Sequence, residues 1–65
     1  MEKSAKIYIA GHRGMVGSAI ERKLRAEGFN NIIVRSSSEL DLRNQQAVNI
    51  FLELAQPNIV IHAAG

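Results

Sequence analysis

The sequence predicts an α/β fold, a parallel sheet flanked by helices in the order strand, helix, strand, helix, strand. Three observations predict it. Short apolar runs, Ile7-Tyr8-Ile9, Ile32-Ile33-Val34 and Ile59-Val60-Ile61, recur along the chain. Between them lie two longer stretches with apolar residues at helical spacing. Each stretch ends on a breaker, Gly28 for the first and Pro57 for the second. Continuous apolar strands joined by helices give a parallel sheet with right-handed crossovers.

The first strand is expected over residues 5–10 and the first helix over 15–27, with Val16, Ile20 and Leu24 lining one face. Gly28 is placed to close that helix in a left-handed cap. Asn30-Asn31 turns the chain into Ile32-Ile33-Val34, a run expected to be buried on both faces. Residues 36–38 form a polar loop, and Leu40-Asp41-Leu42 a short extended piece before the second helix. Asn44 is the expected N-cap there, with Val48, Phe51, Leu52 and Ala55 as the apolar stripe. Pro57 stops the helix, because proline cannot continue it and biases its predecessor away from the helical region. The last strand, over 59–61, opens into His62-Ala63-Ala64-Gly65.

Size and composition narrow the function classes. The 65 residues are few for an independent domain, since a chain this short buries only about 60% of its unfolded surface. The expectation is one structural unit, residues 1–65, forming the N-terminal part of a larger nucleotide-binding domain whose substrate domain is absent. Hydrophobic residues make up 46% and charged ones 22%, which excludes a disordered chain. There is no cysteine, so neither a disulfide nor a cysteine metal site is expected, in keeping with a cytoplasmic protein. The net charge of +2 is spread along the chain without a basic run, and no nucleic-acid partner is expected. No apolar run approaches the roughly 18–20 residues a membrane span needs, and no membrane partner is expected.

The chemistry is concentrated between the first strand and the first helix. Gly11, Gly14 and Gly17 follow the strand at three-residue intervals. A strand that stops at such a turn and restarts as a helix is how a dinucleotide pyrophosphate is cradled. Gly11 serves a sharp reversal that calls for positive φ. Gly14 lets the backbone approach phosphate, and Gly17 lets the helix lie close to the sheet. The helix N-terminus then faces the anion with free N–H groups and the positive dipole end. The fold is accordingly the βαβαβ half of a Rossmann-type NAD(P)-binding domain.

The segment after the second strand bears on which dinucleotide. A protein selective for NAD places an acid there for the ribose hydroxyls. This chain has Arg35-Ser36-Ser37-Ser38 instead, with no acid before Glu39. A guanidinium suits a phosphate, serine hydroxyls add neutral donors, and Arg13 in the glycine loop offers a second cation. NADP(H) is therefore the expected cofactor, against the plainer reading of Arg35 as a solvated strand-end residue. Asp41 has two readings, a turn residue opening the second helix or a carboxylate accepting from the adenine amino group beside Leu42.

The residues GHRGMVGSAI at 11–20 resemble the extended short-chain dehydrogenase/reductase family, and within it the enzymes that make GDP-fucose. The glycine spacing is general to the family, whereas His12-Arg13, Met15-Val16 and Ser18-Ala19-Ile20 are more specific. Ser38-Glu39-Leu40-Asp41-Leu42 resembles the adenine-contacting segment, and residues 57–64 the later strand and the cofactor-facing turn. The resemblance implies an NADPH-dependent reaction on GDP-4-keto-6-deoxy-mannose, epimerisation at C3 and C5 followed by hydride reduction at C4. It implies that Gly11, His12, Gly14, Met15, Val16 and Gly17 hold the pyrophosphate and Arg13 the 2′-phosphate. Asp41 and Leu42 would meet the adenine, and Ala63 and Ala64 the path to the nicotinamide. It also implies a full-length homodimer with a nucleotide-sugar substrate.

Two departures stand out. Ser37 occupies a place where the family often has a second basic residue, which weakens the NADP preference. His62-Ala63-Ala64-Gly65 stands where the family tends toward a run of alanines leading into a glycine-rich loop, and HAAG is common enough among extended relatives to leave the sugar open. The family's Tyr-x-x-x-Lys arrangement is missing: Tyr8, the one tyrosine, reads as a core residue, and neither His12 nor His62 has a catalytic partner in sequence. No catalytic residue and no metal ligand is assigned, and the 65 residues are expected to be inactive alone. The alternatives are a segment of another nucleotide-sugar reductase or dehydratase, or a non-catalytic nucleotide-binding module.

Overall fold

A computed structural model of the chain describes residues 2–63. Five elements follow one another: β1 (Ile7–Ala10), α1 (Met15–Ala26), β2 (Ile32–Val34), α2 (Gln45–Ala55) and β3 (Ile59–His62). The three strands form one parallel sheet in the order β2-β1-β3. Tyr8 lies between Ile33 and Val60, and Ile9 between Val34 and Ile61. The parallel α/β expectation holds.

Alternation along the strands divides the core into two layers. Ile7 and Ile9 face Phe29 and, from α1, Ile20 and Leu24. Tyr8 and Ala10 face Leu40 and, from α2, Val48, Phe51 and Leu52. The helices thus cover opposite faces, and β1, buried along its whole length, is the shared centre. With α1 leading to one neighbour of β1 and α2 to the other, opposite faces are what right-handed crossovers require.

Residues 5 and 6 fall outside β1, although Lys6 is tied to the entry of β3. Its N–H donates to Asn58 Oδ1 at 2.8 Å, and its carbonyl accepts from Asn58 N at 2.8 Å. Lys6 Nζ also donates to the carbonyl of Ala55 at 2.7 Å, satisfying one of the last carbonyls of α2. The expected Asn44 cap is present, its side chain accepting from Ala47 N at 3.1 Å. Gly28, at φ 94°, closes α1. Its N–H bonds to Arg25 O while Phe29 N–H bonds to Leu24 O, a Schellman pair that folds Phe29 onto Leu24.

Three expectations need correction. Val16 is 62% exposed rather than part of the apolar stripe. It sits in the first turn of α1, and the covered face runs Gly17, Ile20, Leu24, the last two packed against Ile7, Ile9 and Phe29. β2 is half-buried rather than buried on both faces, because it forms one edge of the described sheet. Residues 40–42 form no strand: the chain turns at Leu42-Arg43, where Asp41 Oδ1 accepts from Arg43 N at 2.9 Å and closes a local ring.

Candidate functional site

The order β2-β1-β3 makes β1 the place where the sheet's direction of growth reverses. The connections leaving the carboxyl ends of β1 and β2 therefore part at that edge, the position at which open α/β sheets bind ligands. A cleft of about 270 Å³ lies there. Ligand pockets run from about 300 to 1,000 Å³, so this one has room for part of a dinucleotide.

One wall is the turn after β1. Gly11, His12, Arg13 and Gly14 line the cleft. Gly11 adopts φ 85°, in the region that glycine enters without penalty. A Cβ on Gly17 would collide with the carbonyl oxygen of Gly11 and come within 2.8 Å of its carbonyl carbon. Gly17 thus serves the close approach of helix and loop rather than of helix and sheet. Gly14 is the N-cap of α1, without a side-chain cap, and the first turn contains no acid. The N–H groups of that turn have no carbonyl one turn earlier in the helix to bond, and they sit at the positive end of the helix dipole.

The other wall comes from the segment after β2. Arg35, Ser36, Ser37, Leu40, Asp41 and Leu42 line it. The Arg35 guanidinium is steered from two sides. Its NH1 donates to the Val34 carbonyl at 2.7 Å, and its central carbon stands 5.4 Å from the centre of the Phe51 ring. That ring in turn packs on Tyr8 with centroids 4.7 Å apart. Five N–H donors on a guanidinium leave several for a ligand. Among the described residues the ion pairs join Glu21 to Arg25 and Asp41 to Arg43, and neither uses Arg13 or Arg35.

Two carboxylates lie in the second wall's segment, and local donors hold both. Asp41 accepts from Arg43 Nε at 3.2 Å and Arg43 NH2 at 3.3 Å. These bonds hold the Asp41 carboxyl below its ordinary pKa. Glu39 does not line the cleft; its Oε1 accepts from Ser36 N at 2.8 Å. The Ser36 N–H, and then its hydroxyl, hold the Glu39 carboxyl below the ordinary range.

The expected residues thus separate into groups. Gly11, His12, Arg13, Gly14, Arg35, Ser36, Ser37, Asp41 and Leu42 come together around one cleft from two distant stretches of chain. Met15 and Val16 do not line it; both project from the first turn of α1, 89% and 62% exposed. Ala63, half-buried, lies past β3 with its N–H on the Ala10 carbonyl at 2.8 Å, also away from the cleft lining. Ala64 lies outside the described residues. Leu40 was not among the expected site residues, yet it lines the cleft and is buried against Tyr8 and Ala10. Its signal was the alternation of Leu40 and Leu42 about Asp41.

The arrangement can bind an anion and an attached flat ring. Glycine backbone, an uncapped helix start and Arg13 line one wall, and Arg35 stands on the other with the apolar surface of Leu40 and Leu42. The buried His12 Nδ1 has no hydrogen-bond partner, a polar atom at the loop left for a ligand or water to satisfy. Among the described residues no group of three or more His, Cys, Asp or Glu is placed to hold a metal ion.

Residues 7–65 match the NAD dependent epimerase/dehydratase family. The chain is 56% identical over 65 residues to a putative GDP-L-fucose synthase 2 of Arabidopsis thaliana, covering all of this chain and 20% of that protein. It is 48% identical over 60 residues to the GDP-L-fucose synthase of Escherichia coli, covering 92% of this chain and 19% of that one. Among solved structures, the GDP-mannoheptose C4 reductase of Campylobacter jejuni with NADP bound superposes with a TM-score of 0.96 at 45% identity. That alignment covers 98% of this chain and 19% of the reductase. The chain spans about a fifth of the length of the relatives it matches.

Proposed function

The chain belongs to the NAD dependent epimerase/dehydratase family, and from that membership we propose that it is the NADP(H)-binding segment of an enzyme acting on a GDP-linked keto-sugar. The observation that carries the proposal is the cleft itself. Arg13 lines one wall and Arg35 the other, Ser36 and Ser37 beside Arg35, and the one carboxylate of the lining, Asp41, is already bonded to Arg43. That donor set suits a 2′-phosphate better than two ribose hydroxyls.

Within this reading each residue has a task. The backbone around Gly11 and Gly14, with the first turn of α1, holds the pyrophosphate. Arg13 and Arg35 clamp the 2′-phosphate, and the Phe51 ring keeps Arg35 aimed at it. Leu40 and Leu42 lie against the adenine. Of the two readings of Asp41, the structure shows the turn residue, bonded three times to Arg43; in this reading it also accepts from the adenine amino group through its remaining Oδ2 lone pair. NADPH, when bound, supplies the hydride. Tyr8 takes no part, being 2% exposed in the core.

The preferred substrate reading is GDP-4-keto-6-deoxy-mannose, epimerised at C3 and C5 and reduced at C4 to GDP-fucose. Synthases so named among the relatives support it. A second reading, reduction of a GDP-linked heptose, draws on the solved Campylobacter jejuni enzymes, which are named for such sugars. In either case this chain forms the N-terminal part of its nucleotide-binding domain, and the catalytic Ser, Tyr and Lys belong to further chain. The exposed Ile50, Leu54 and Val60 offer apolar surface for that chain to pack on. A cytoplasmic homodimer completes the proposal.

The test is to supply the full-length protein with NADPH carrying deuterium at the transferable position and with GDP- and dTDP-linked 4-keto-sugars in turn. Deuterium at C4 of a GDP-linked 6-deoxy product, with inversion at C3 and C5, is the expected result. Turnover of the dTDP sugar alone would overturn the GDP assignment, and turnover of a GDP-heptose alone would select the second reading.

A further inference from the structure

We propose that Glu39 is a positioning residue of the cofactor cleft, holding the Ser36–Ser37 wall in the conformation that receives a 2′-phosphate. The proposal rests on the NADP(H) reading above. Glu39 is the first acid after β2, in the stretch where a carboxylate reaching the ribose would favour NAD. The structure turns it away from that role. Its Oε1 accepts from Ser36 N at 2.8 Å, and Ser36 answers by accepting from Glu39 N at its carbonyl (3.0 Å) and its hydroxyl (3.3 Å). The reciprocal pair is a capping box, Ser at the first position and Glu three residues later, closed here around a single turn.

The box is bounded by fixed points. On one side Arg35 is tied to Val34 and stacked over Phe51. On the other, Leu40, 7% exposed, bonds through its N–H to Ser36 O at 2.9 Å and packs on Tyr8 and Ala10. Between these points only the Glu39 bonds, and the contact of Ser36 Oγ with Ser38 Oγ at 2.9 Å, hold the turn. Ser36, Ser37 and Leu40 line the cleft while Glu39 does not. Glu39 therefore acts on a ligand through Ser36 and the residues next to it.

Charge and clamp make opposite predictions. If Glu39 acted only as a negative charge near the phosphate, removing it would tighten NADPH binding. If it acts as the clamp, Glu39→Ala loosens the wall, whereas Glu39→Gln keeps an acceptor at the same reach and preserves it. The experiment measures NADPH and NADH affinity for the full-length protein and both variants, with hydrogen exchange of the Ser36 amide in the cofactor-free state. Glu39→Ala is expected to weaken NADPH by about three- to tenfold, the worth of one or two hydrogen bonds, and to leave NADH unchanged. Glu39→Gln should bind NADPH as tightly as the parent or tighter. The Ser36 amide should exchange faster in Glu39→Ala alone.

Equal losses for both cofactors, unchanged NADPH affinity, or tighter NADPH binding in Glu39→Ala would overturn the proposal. Unchanged Ser36 exchange in that variant would overturn the clamp itself. A parent protein that does not distinguish NADPH from NADH, with Ser36 exchange altered as expected, would instead sink the NADP(H) reading and leave the clamp as a structural feature.

Discussion

Gly17 has no side chain because the Gly11 carbonyl stands where a Cβ would go. The obstacle is backbone, so no rotamer change relieves it. Gly17→Ala should cost about 3 kcal/mol, the upper end of the overpacking range, read as a lower urea midpoint with an unchanged slope. Tyr8 makes a different kind of prediction. Burial pushes its phenol pKa up, and the charge of Arg35 offsets part of the rise. The unfolded chain ionises that phenol near the ordinary 10.0 while the folded chain still holds its proton. Stability is therefore full below about that pH and is lost as pH rises through the folded value. Tyr8→Phe should remove this alkaline decline in a pH series of urea midpoints. At this scale the sequence marked the glycines, because positive φ and close approach admit few substitutes. It marked Leu40 only by alternation with Leu42 about Asp41, because the burial of Leu40 depends on Tyr8 and Ala10 from a strand far earlier in the chain.

Elements were legible where local chemistry alone sets them. Asn44 before Gln45–Ala55, Gly28 after Met15–Ala26 and Pro57 beyond α2 each act within one turn of chain. Asn44→Ala should cost about 1 kcal/mol, visible as faster amide exchange of Ala47, the residue whose N–H it caps. The segment between β2 and α2 was harder to read. Its alternating Leu40-Asp41-Leu42 suggested extension, but two side-chain-to-backbone bonds, Glu39 to Ser36 and Asp41 to Arg43, bend it into turns. The depressed Glu39 pKa gives the first of these turns a pH signature. Its bonds are kept above the ordinary carboxylate range and are lost as pH falls through the lowered value, with Arg35 and His12 the nearby positive groups. Protection of the Ser36 amide should fall with them, and in Glu39→Gln it should not. Val16 and β2 misled for a related reason. Periodicity shows which residues are apolar, and the neighbouring elements decide which of them are covered.

The described residues form two crossovers, β1 to β2 through α1 and β2 to β3 through α2, one on each face of the sheet. That topology alone brings residues 11–14 and 35–42 to one edge and opens a cleft between them. The glycine spacing made one wall readable from sequence. The other wall was readable only as a list of suitable donors, because their convergence depends on β2 pairing beside β1. In the proposed function this convergence selects a 2′-phosphate. The most direct test compares NADPH and NADH affinity in folded full-length protein with Arg13→Ala, Arg35→Ala and the double variant, folding being checked by circular dichroism. The parent should prefer NADPH, and each single variant should lose about ten- to a hundredfold in NADPH affinity, the worth of a charge-assisted hydrogen bond to phosphate. NADH binding should be spared, and the double variant should bind the two cofactors alike. A parent that binds NADH as well as NADPH, or variants that lose both equally, would contradict it.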